Sequence, residues 1–264
     1  MPFIQLNRSI RLHYELIRGE PAKPVLVFLH EGLGCTAMWT DFIRVMCRRT
    51  GCPGLAYDRQ GYGRSAGLTH PRTADYLKDY AENELPRVLD HLIPGKPYIL
   101  VGHSDGGTIS LIHGAAQPET LEAVVTMAAH VFVDAVTLAG IRQAVRAWED
   151  GKLEGLARFH GRKTQQTFRA WSDTWLAPWF REWNVENVLP KIQAPLLVIQ
   201  GKEDQYGTRE QVEAICSGTG GPATPLMIPD CGHSPHADQP GAVVQAIMAF
   251  VGRNAPNPVG GKGS

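Results

Sequence analysis

Residues Pro97 to Gly107 read PYILVGHSDGG. The apolar run before the first glycine has the length and branching of a buried strand. The residues after the serine, DGGTISLIHGAA, suit a helix. Gly102 and Gly106 bracket Ser104 where the chain must turn sharply between the two, and glycine is the residue for backbone with no room for a Cβ. The G-x-S-x-G form at a strand-to-helix junction raises a hydroxyl above the carboxyl end of a sheet and aims a helix N-terminus at it. Ser104 is therefore the candidate nucleophile.

The same alternation extends in both directions. Upstream, Phe3 to Ile17 with a turn at Asn7 predicts an antiparallel hairpin. PVLVFLHEG is a short buried strand, Met38 to Arg48 carries Trp39, Phe42, Ile43 and Met46 at helical spacing before Gly51, and GLAYD is a further strand. YLKDYAENELPRVLDHLI predicts an amphipathic helix. Downstream, LEAVVTMAA, PLLVIQG and TPLMIPDCGH predict strands, with TREQVEAICS and PGAVVQAIMAFVG as helices. Parallel neighbours need crossover helices, so the rhythm predicts an α/β fold with a doubly wound, mostly parallel sheet. The rhythm breaks at 131–188, a helical stretch that carries five of the six tryptophans and divides a core of 1–130 and 189–253. An aromatic-rich insertion between core strands is a candidate cap over a pocket. Residues 254–264 have the composition of a flexible tail.

Lys plus Arg and Asp plus Glu both total 26 in 264 residues, for a formal net charge of zero. This balance argues against nucleic acid and against an acidic membrane surface as partners and favours a small molecule. Five scattered cysteines lack zinc-site spacing and fit a reducing, cytoplasmic setting. The N-terminus has no basic start followed by an apolar block, and no window reaches the length of a membrane span. Nothing in the sequence sets an oligomeric state.

A serine hydroxyl needs an imidazole to take its proton, and the imidazole needs a carboxylate to fix its tautomer. His233 follows the strand TPLMIP and emerges at the same sheet edge as Ser104, whereas His236 follows Pro235 and lies nearer the next helix. His91, His113 and His160 fall in helical patterns suited to packing or surface roles. Asp204 follows PLLVIQ at that edge, with Glu203 as the runner-up, and Asp230 reads as a turn former. Two amides would receive an oxyanion: that of Asp105, after the nucleophile, and one from His30-Glu31-Gly32-Leu33-Gly34, with Gly32 ahead of Leu33. Glu31 and Leu33 in that loop, with Trp175 and Trp179 in the insertion, are the expected substrate contacts. No metal site is expected.

The chain resembles α/β-hydrolase-fold enzymes of the esterase and lipase superfamily along nearly its whole length, through LHEGLG, YDRQGYGRS, GHSDGG, GKED and DCGHSPHADQP. The resemblance implies that Ser104, Asp204 and His233 are nucleophile, acid and base, that Gly32 and Asp105 serve the oxyanion, and that Ser65 is structural. It also implies hydrolysis of a small carboxylic ester without a cofactor. Carbon-carbon bond hydrolysis, lactone hydrolysis, aminopeptidase and perhydrolase activity would use the same set, and a receptor that keeps the fold is the reading from another class. A serine nucleophile argues against the dehalogenase and epoxide hydrolase relatives, which use aspartate there. Two positions depart from the family pattern: Glu31, where glycine is usual, and Asp105, where an apolar residue is usual.

Overall fold

Branched apolar residues fill short segments of this chain, and in the computed structural model, which describes residues 2–254, they form eight strands. These are β1 (Phe3–Gln5), β2 (Arg11–Ile17), β3 (Val25–Leu29), β4 (Gly54–Tyr57), β5 (Tyr98–His103), β6 (Leu121–Met127), β7 (Leu196–Gly201) and β8 (Ala223–Ile228). They make one sheet in the order β1-β2-β4-β3-β5-β6-β7-β8. β1 and β2 form the expected hairpin, and β2 runs antiparallel to β4. Every other pairing is parallel. Asn7 closes the hairpin turn by accepting hydrogen bonds from the amides of Ser9 and Ile10.

Helices cover both faces, as parallel strands require. They are α1 (Phe42–Thr50), α2 (Tyr76–Asp79), α3 (Leu85–Leu92), α4 (Asp105–Ala115), α5 (Ala135–Glu149), α6 (Ala157–His160), α7 (Thr164–Leu176), α8 (Arg209–Gly218), α9 (Pro235–Asp238) and α10 (Pro240–Asn254). Side chains alternate across a strand, so β3 sends Val25, Val27 and Leu29 into one core and Leu26 and Phe28 into the other. β5 and β7 divide in the same way. α1 and α10 pack on the second core, while α3, α4 and α8 pack on the first.

Where the elements differ from expectation, proline or a cap explains it. The helix expected from Tyr76 onward is α2 and α3 joined through a π turn, Tyr80–Glu84. Pro86 has no amide to donate to the Glu82 carbonyl, and the widened turn absorbs that gap. α5 starts well before Gly140 because Asp134 caps it, accepting from the Thr137 amide at 2.7 Å. α7 stops at Leu176 because Ala177 precedes Pro178 and takes an extended conformation, φ −65° and ψ 140°. The expected tail lies outside the described residues except for Asn254, which closes α10. Among the described residues no helix is long and apolar enough to cross a membrane.

One buried acid sets a pH dependence of stability. Glu84, at the end of the π turn, is buried with Oε2 on the Gln60 amide and Oε1 without a hydrogen-bond partner. Burial pushes its pKa from 4.5 up to about 7, against the pull of the Gln60 amide and Arg59. The folded state therefore holds a proton across that window that the unfolded chain has released. Stability should fall by about 3 kcal/mol as pH rises from 4.5 to 7, then level off. Glu84→Gln should remove that slope in urea unfolding measured at several pH values. An unchanged slope in the variant would place its origin elsewhere.

Candidate active site

Because β3, β5, β7 and β8 run parallel, their carboxyl ends share one edge of the sheet, and the loops leaving that edge carry the expected residues together. At the end of β5 the chain reverses into α4 with Ser104 at φ 51° and ψ −117°, a conformation that costs a non-glycine residue on the order of 1–3 kcal/mol. A Cβ on Gly102 would collide with the main chain of Gly106, and one on Gly106 with the Leu29 carbonyl. That is why glycines bracket the serine.

Ser104 Oγ lies 2.9 Å from His233 Nε2. His233 Nδ1 lies 2.9 and 2.8 Å from the two oxygens of Asp204. The carboxylate is held in turn by the amides of Tyr206 at 2.7 Å and Gly207 at 3.2 Å and by Gln200 Nε2 at 2.5 Å. Burial would raise the Asp204 pKa, but the hydrogen bond and charge of His233, with the Tyr206 amide, hold it below the ordinary value. Asp204 is thus poised as an anion facing the imidazole. Glu203 points elsewhere: its carboxylate accepts the Cys231 amide at 2.8 Å and braces the His233 loop from behind. Asp230 occupies a turn at φ 50°. His236 is half-buried against Trp39 and Phe42, where desolvation and the neighbouring His103 push its pKa down to about 3.

The loop after β3 forms a turn in which the Gly34 amide donates to the Glu31 carbonyl at 3.2 Å. Gly32 and Leu33 are its central residues, so the turn does not consume their amides. Asp105 is the first residue of α4, and its amide has no intrahelical acceptor. Fully buried Arg59 anchors the loop, donating to the carbonyls of His30 and Glu31. Burial and the Arg59 charge push the His30 pKa down to about 3, so this imidazole stays neutral while it donates to the Glu31 carbonyl. His160 ties the loop to the insertion: it donates to the Leu33 carbonyl and accepts from the Gly63 amide, each at 2.9 Å. Ser65 has the structural place expected of it, bonding the Asp58 carbonyl and the His13 amide.

Above Ser104 and His233 is a cavity of about 150 Å³. Glu31, Gly32 and Leu33 form one wall, and the inserted helices close it with Thr137, Ile141, Trp171 and Trp175. His130 and Tyr206 flank His233, with ring centroids 5.9 and 4.8 Å from its own. Asp105 also faces the cavity, and its carboxylate accepts from Tyr76 Oη at 3.1 Å. Tyr76 in turn accepts from Trp175 Nε1 at 2.9 Å. Burial and the charge of Asp105 hold the Tyr76 phenol protonated, so it remains the donor. Among the described residues no three His, Cys, Asp or Glu side chains are grouped as around a metal ion.

Trp179 is not at the cavity. It is 54% exposed and lines an outer groove with Leu68 and Arg72. The break at Pro178 takes it off the helical face that carries Trp171 and Trp175, which lie four residues apart on one side of α7. Trp148 stacks on Phe168 at 4.3 Å and Trp183 on Phe180 at 5.2 Å, so these two pack the insertion. Trp148→Ala should lower stability by about 3 kcal/mol with acyl preference unchanged. Trp171→Ala and Trp175→Ala should instead shift KM and the acyl-chain profile, because they shape the cavity. Thermal melts beside kcat/KM on a chain-length series separate the two outcomes, and a fixed profile in both cavity variants would sink the specificity assignment.

The residues sequence reasoning missed are Trp171, His130, Tyr206, Tyr76 and Arg59. Only Trp171 left a usable signal, its spacing of four from Trp175.

The model of the alpha/beta hydrolase family matches residues 26–246. The human serine hydrolase BPHL is 27% identical over 195 residues, covering 69% of this chain and 63% of that protein. The mouse sn-1-specific diacylglycerol lipase ABHD11 is 29% identical over 120 residues, covering 46% of this chain and 37% of that one. The match thus spans less than two thirds of either relative. Among solved structures, the enol-lactonase from Burkholderia xenovorans LB400 superposes with a TM-score of 0.75 at 17% identity, covering 95% of this chain and 100% of that one.

Proposed function

Because this chain belongs to the alpha/beta hydrolase family, we propose that it is a serine hydrolase that cleaves small carboxylic esters through an acyl-enzyme. The observation that carries this reading is the chain of contacts from Ser104 Oγ through His233 to Asp204 at the floor of a half-open cavity. In the first half-reaction Oγ attacks the ester carbonyl while His233 Nε2 takes its proton. Asp204 stabilises the imidazolium. The oxyanion is received by the amides of Asp105 and Gly32, with Leu33 able to share the load. His233 then gives its proton to the departing alkoxide, and the acyl group stays on Ser104. In the second half His233 takes a proton from water, hydroxide attacks the acyl carbon, and Ser104 leaves with that proton as the acid departs.

The cavity supports a choice of acyl group. About 150 Å³ is the size that admits a benzene-sized guest, so acyl groups of about four to six carbons fill it. Asp105 puts a carboxylate on its wall, and this disfavours an anionic acyl group. The experiment is turnover of p-nitrophenyl acetate, butyrate and octanoate and of a succinate half-ester. Butyrate should give the highest kcat/KM, with octanoate and the succinate half-ester each lower by on the order of tenfold or more. An organophosphonate should add one group at Ser104. No turnover and no adduct would make the cavity a receptor site, and preference for the anionic ester would overturn the charge argument.

A further inference from the structure

His103 is the residue between Gly102 and Ser104, and both its ring nitrogens face acceptors. Nε2 lies 2.7 Å from the main-chain carbonyl of His233, which only accepts, so Nε2 donates. Nδ1 lies 3.4 Å from Glu31 Oε2, an ion-pair distance at which it makes no aligned hydrogen bond. A neutral ring with its proton on Nε2 would turn a lone pair toward that carboxylate. Only the imidazolium both donates to His233 and attracts the Glu31 carboxylate.

We propose that Glu31 and His103 form a buried ion pair that positions the site, with the imidazolium tying the loop 30–34 to the main chain of His233. Through it the turn that offers the Gly32 amide and the loop that carries the base are held at a fixed separation. Neither Glu31 nor His103 takes part in bond making. The proposal rests on the reading of Ser104, Asp204 and His233 as the reacting set. It also accounts for the glutamate at position 31, a place where the family usually has glycine.

The surroundings agree. The His103 side chain is 1% exposed and that of Glu31 is 21% exposed. From the loop after β8, His233 faces the ring at a centroid distance of 5.3 Å, and from α9, His236 faces it at 4.9 Å. Trp39 closes the side toward α1 at 6.2 Å. His236 stays neutral, so it does not compete for the charge of Glu31. Asp204 adds a second, more distant negative charge. Burial alone would push the His103 pKa down, but the hydrogen bond and charge of Glu31, with the His233 carbonyl, raise it. Burial likewise pushes the Glu31 carboxyl up, and His103 holds it well below the carboxylate range.

Stability follows the same pair. A histidine with a raised pKa contributes stability that is complete below its unfolded value and is lost as pH passes its folded value. On the alkaline side the neutral ring keeps its bond to His233 but repels Glu31, and the loop 30–34 loses its tether. kcat should therefore fall at alkaline pH while KM stays flat.

The test combines spectroscopy with kinetics on the intact protein. Long-range proton–nitrogen correlation of histidine-labelled protein at pH 6.5, assigned with His103→Gln, should show both His103 nitrogens predominantly protonated. In Glu31→Gln the amide donates to a neutral His103, so the ring should become the Nε2–H tautomer. With the tether kept, the alkaline limb of kcat should disappear. Glu31→Ala has no donor or charge to offer and should lose kcat by on the order of 10- to 100-fold. A neutral His103 in the wild-type protein at pH 6.5 would overturn the pair. So would an unchanged limb in Glu31→Gln, or an effect of Glu31→Ala confined to KM. If the protein turned over none of the esters, the hydrolase reading would fail while the spectrum still decided the pair.

Discussion

Replacing Ser104 with alanine is expected to lower kcat/KM for p-nitrophenyl butyrate by on the order of 10³- to 10⁶-fold. The substitution deletes the proposed nucleophilic oxygen and breaks a single 2.9 Å contact to His233. Alanine meets the same backbone strain at φ 51° as serine, so neither fold nor stability should change by more than about 1 kcal/mol. The residual rate comes from the oxyanion donors and the cavity, which the variant retains. Mass spectrometry should find the phosphonate on Ser104 in the wild type and no adduct in the variant. A label on another residue would show that the assignment is wrong.

The second large effect is expected from Asp204→Asn, a loss of kcat of about 10⁴-fold with little change in KM. The Tyr206 and Gly207 amides both donate to Oδ1, so the asparagine oxygen must stay there. Its NH₂ group then faces His233 and Gln200 in place of Oδ2. A donor opposite Nδ1 forces that nitrogen to accept, which moves the ring proton to Nε2 and points N–H at Ser104. The base is then occupied. Glu203→Gln should stay within about threefold of wild type, because a glutamine oxygen still accepts the Cys231 amide. Equal losses in the two variants would leave the acid undecided, and the reverse ranking would assign it to Glu203.

The contrast between these two carboxylates shows how far the residues alone carry the reading. Ser104, Asp204 and His233 were legible because each follows a strand with a strong period-two or branched pattern. Parallel strands deliver their carboxyl ends to one edge whatever happens between them. The oxyanion loop was legible for the same reason, since it follows β3. The insertion was less open to reading, because nothing fixes the rotation of its helices except packing on the core. Trp175 and Trp179 look alike in the sequence, yet Pro178 ends the helix between them and leaves one at the cavity and the other in water. Arg59, Tyr76 and His130 left no local sign because their partners are remote in the chain. His30 is 29 residues from Arg59, and Tyr206 is 76 from His130. Glu31 stood out only as a departure from a family pattern, and its partner became visible once β3 and β5 lay side by side.

The division of the sheet has a consequence for the birth of the enzyme. Ser104 and His233 are 129 residues apart, and the whole helical insertion separates β6 from β7. At about 5–20 residues per second, a ribosome releases the elbow serine roughly 6 to 26 seconds before the imidazole that would deprotonate it. Strands β1 to β6 carry Ser104 and the proposed amide donors of Gly32 and Asp105, and β7 and β8 bring Asp204 and His233. A nascent or truncated chain thus displays Ser104 without its imidazole partner, and on the proposed mechanism hydrolysis is expected only once β7 pairs with β6 and β8 with β7. Cutting the chain at the exposed turn around Lys152 would yield one piece with the serine and another with the acid and base, each silent by itself.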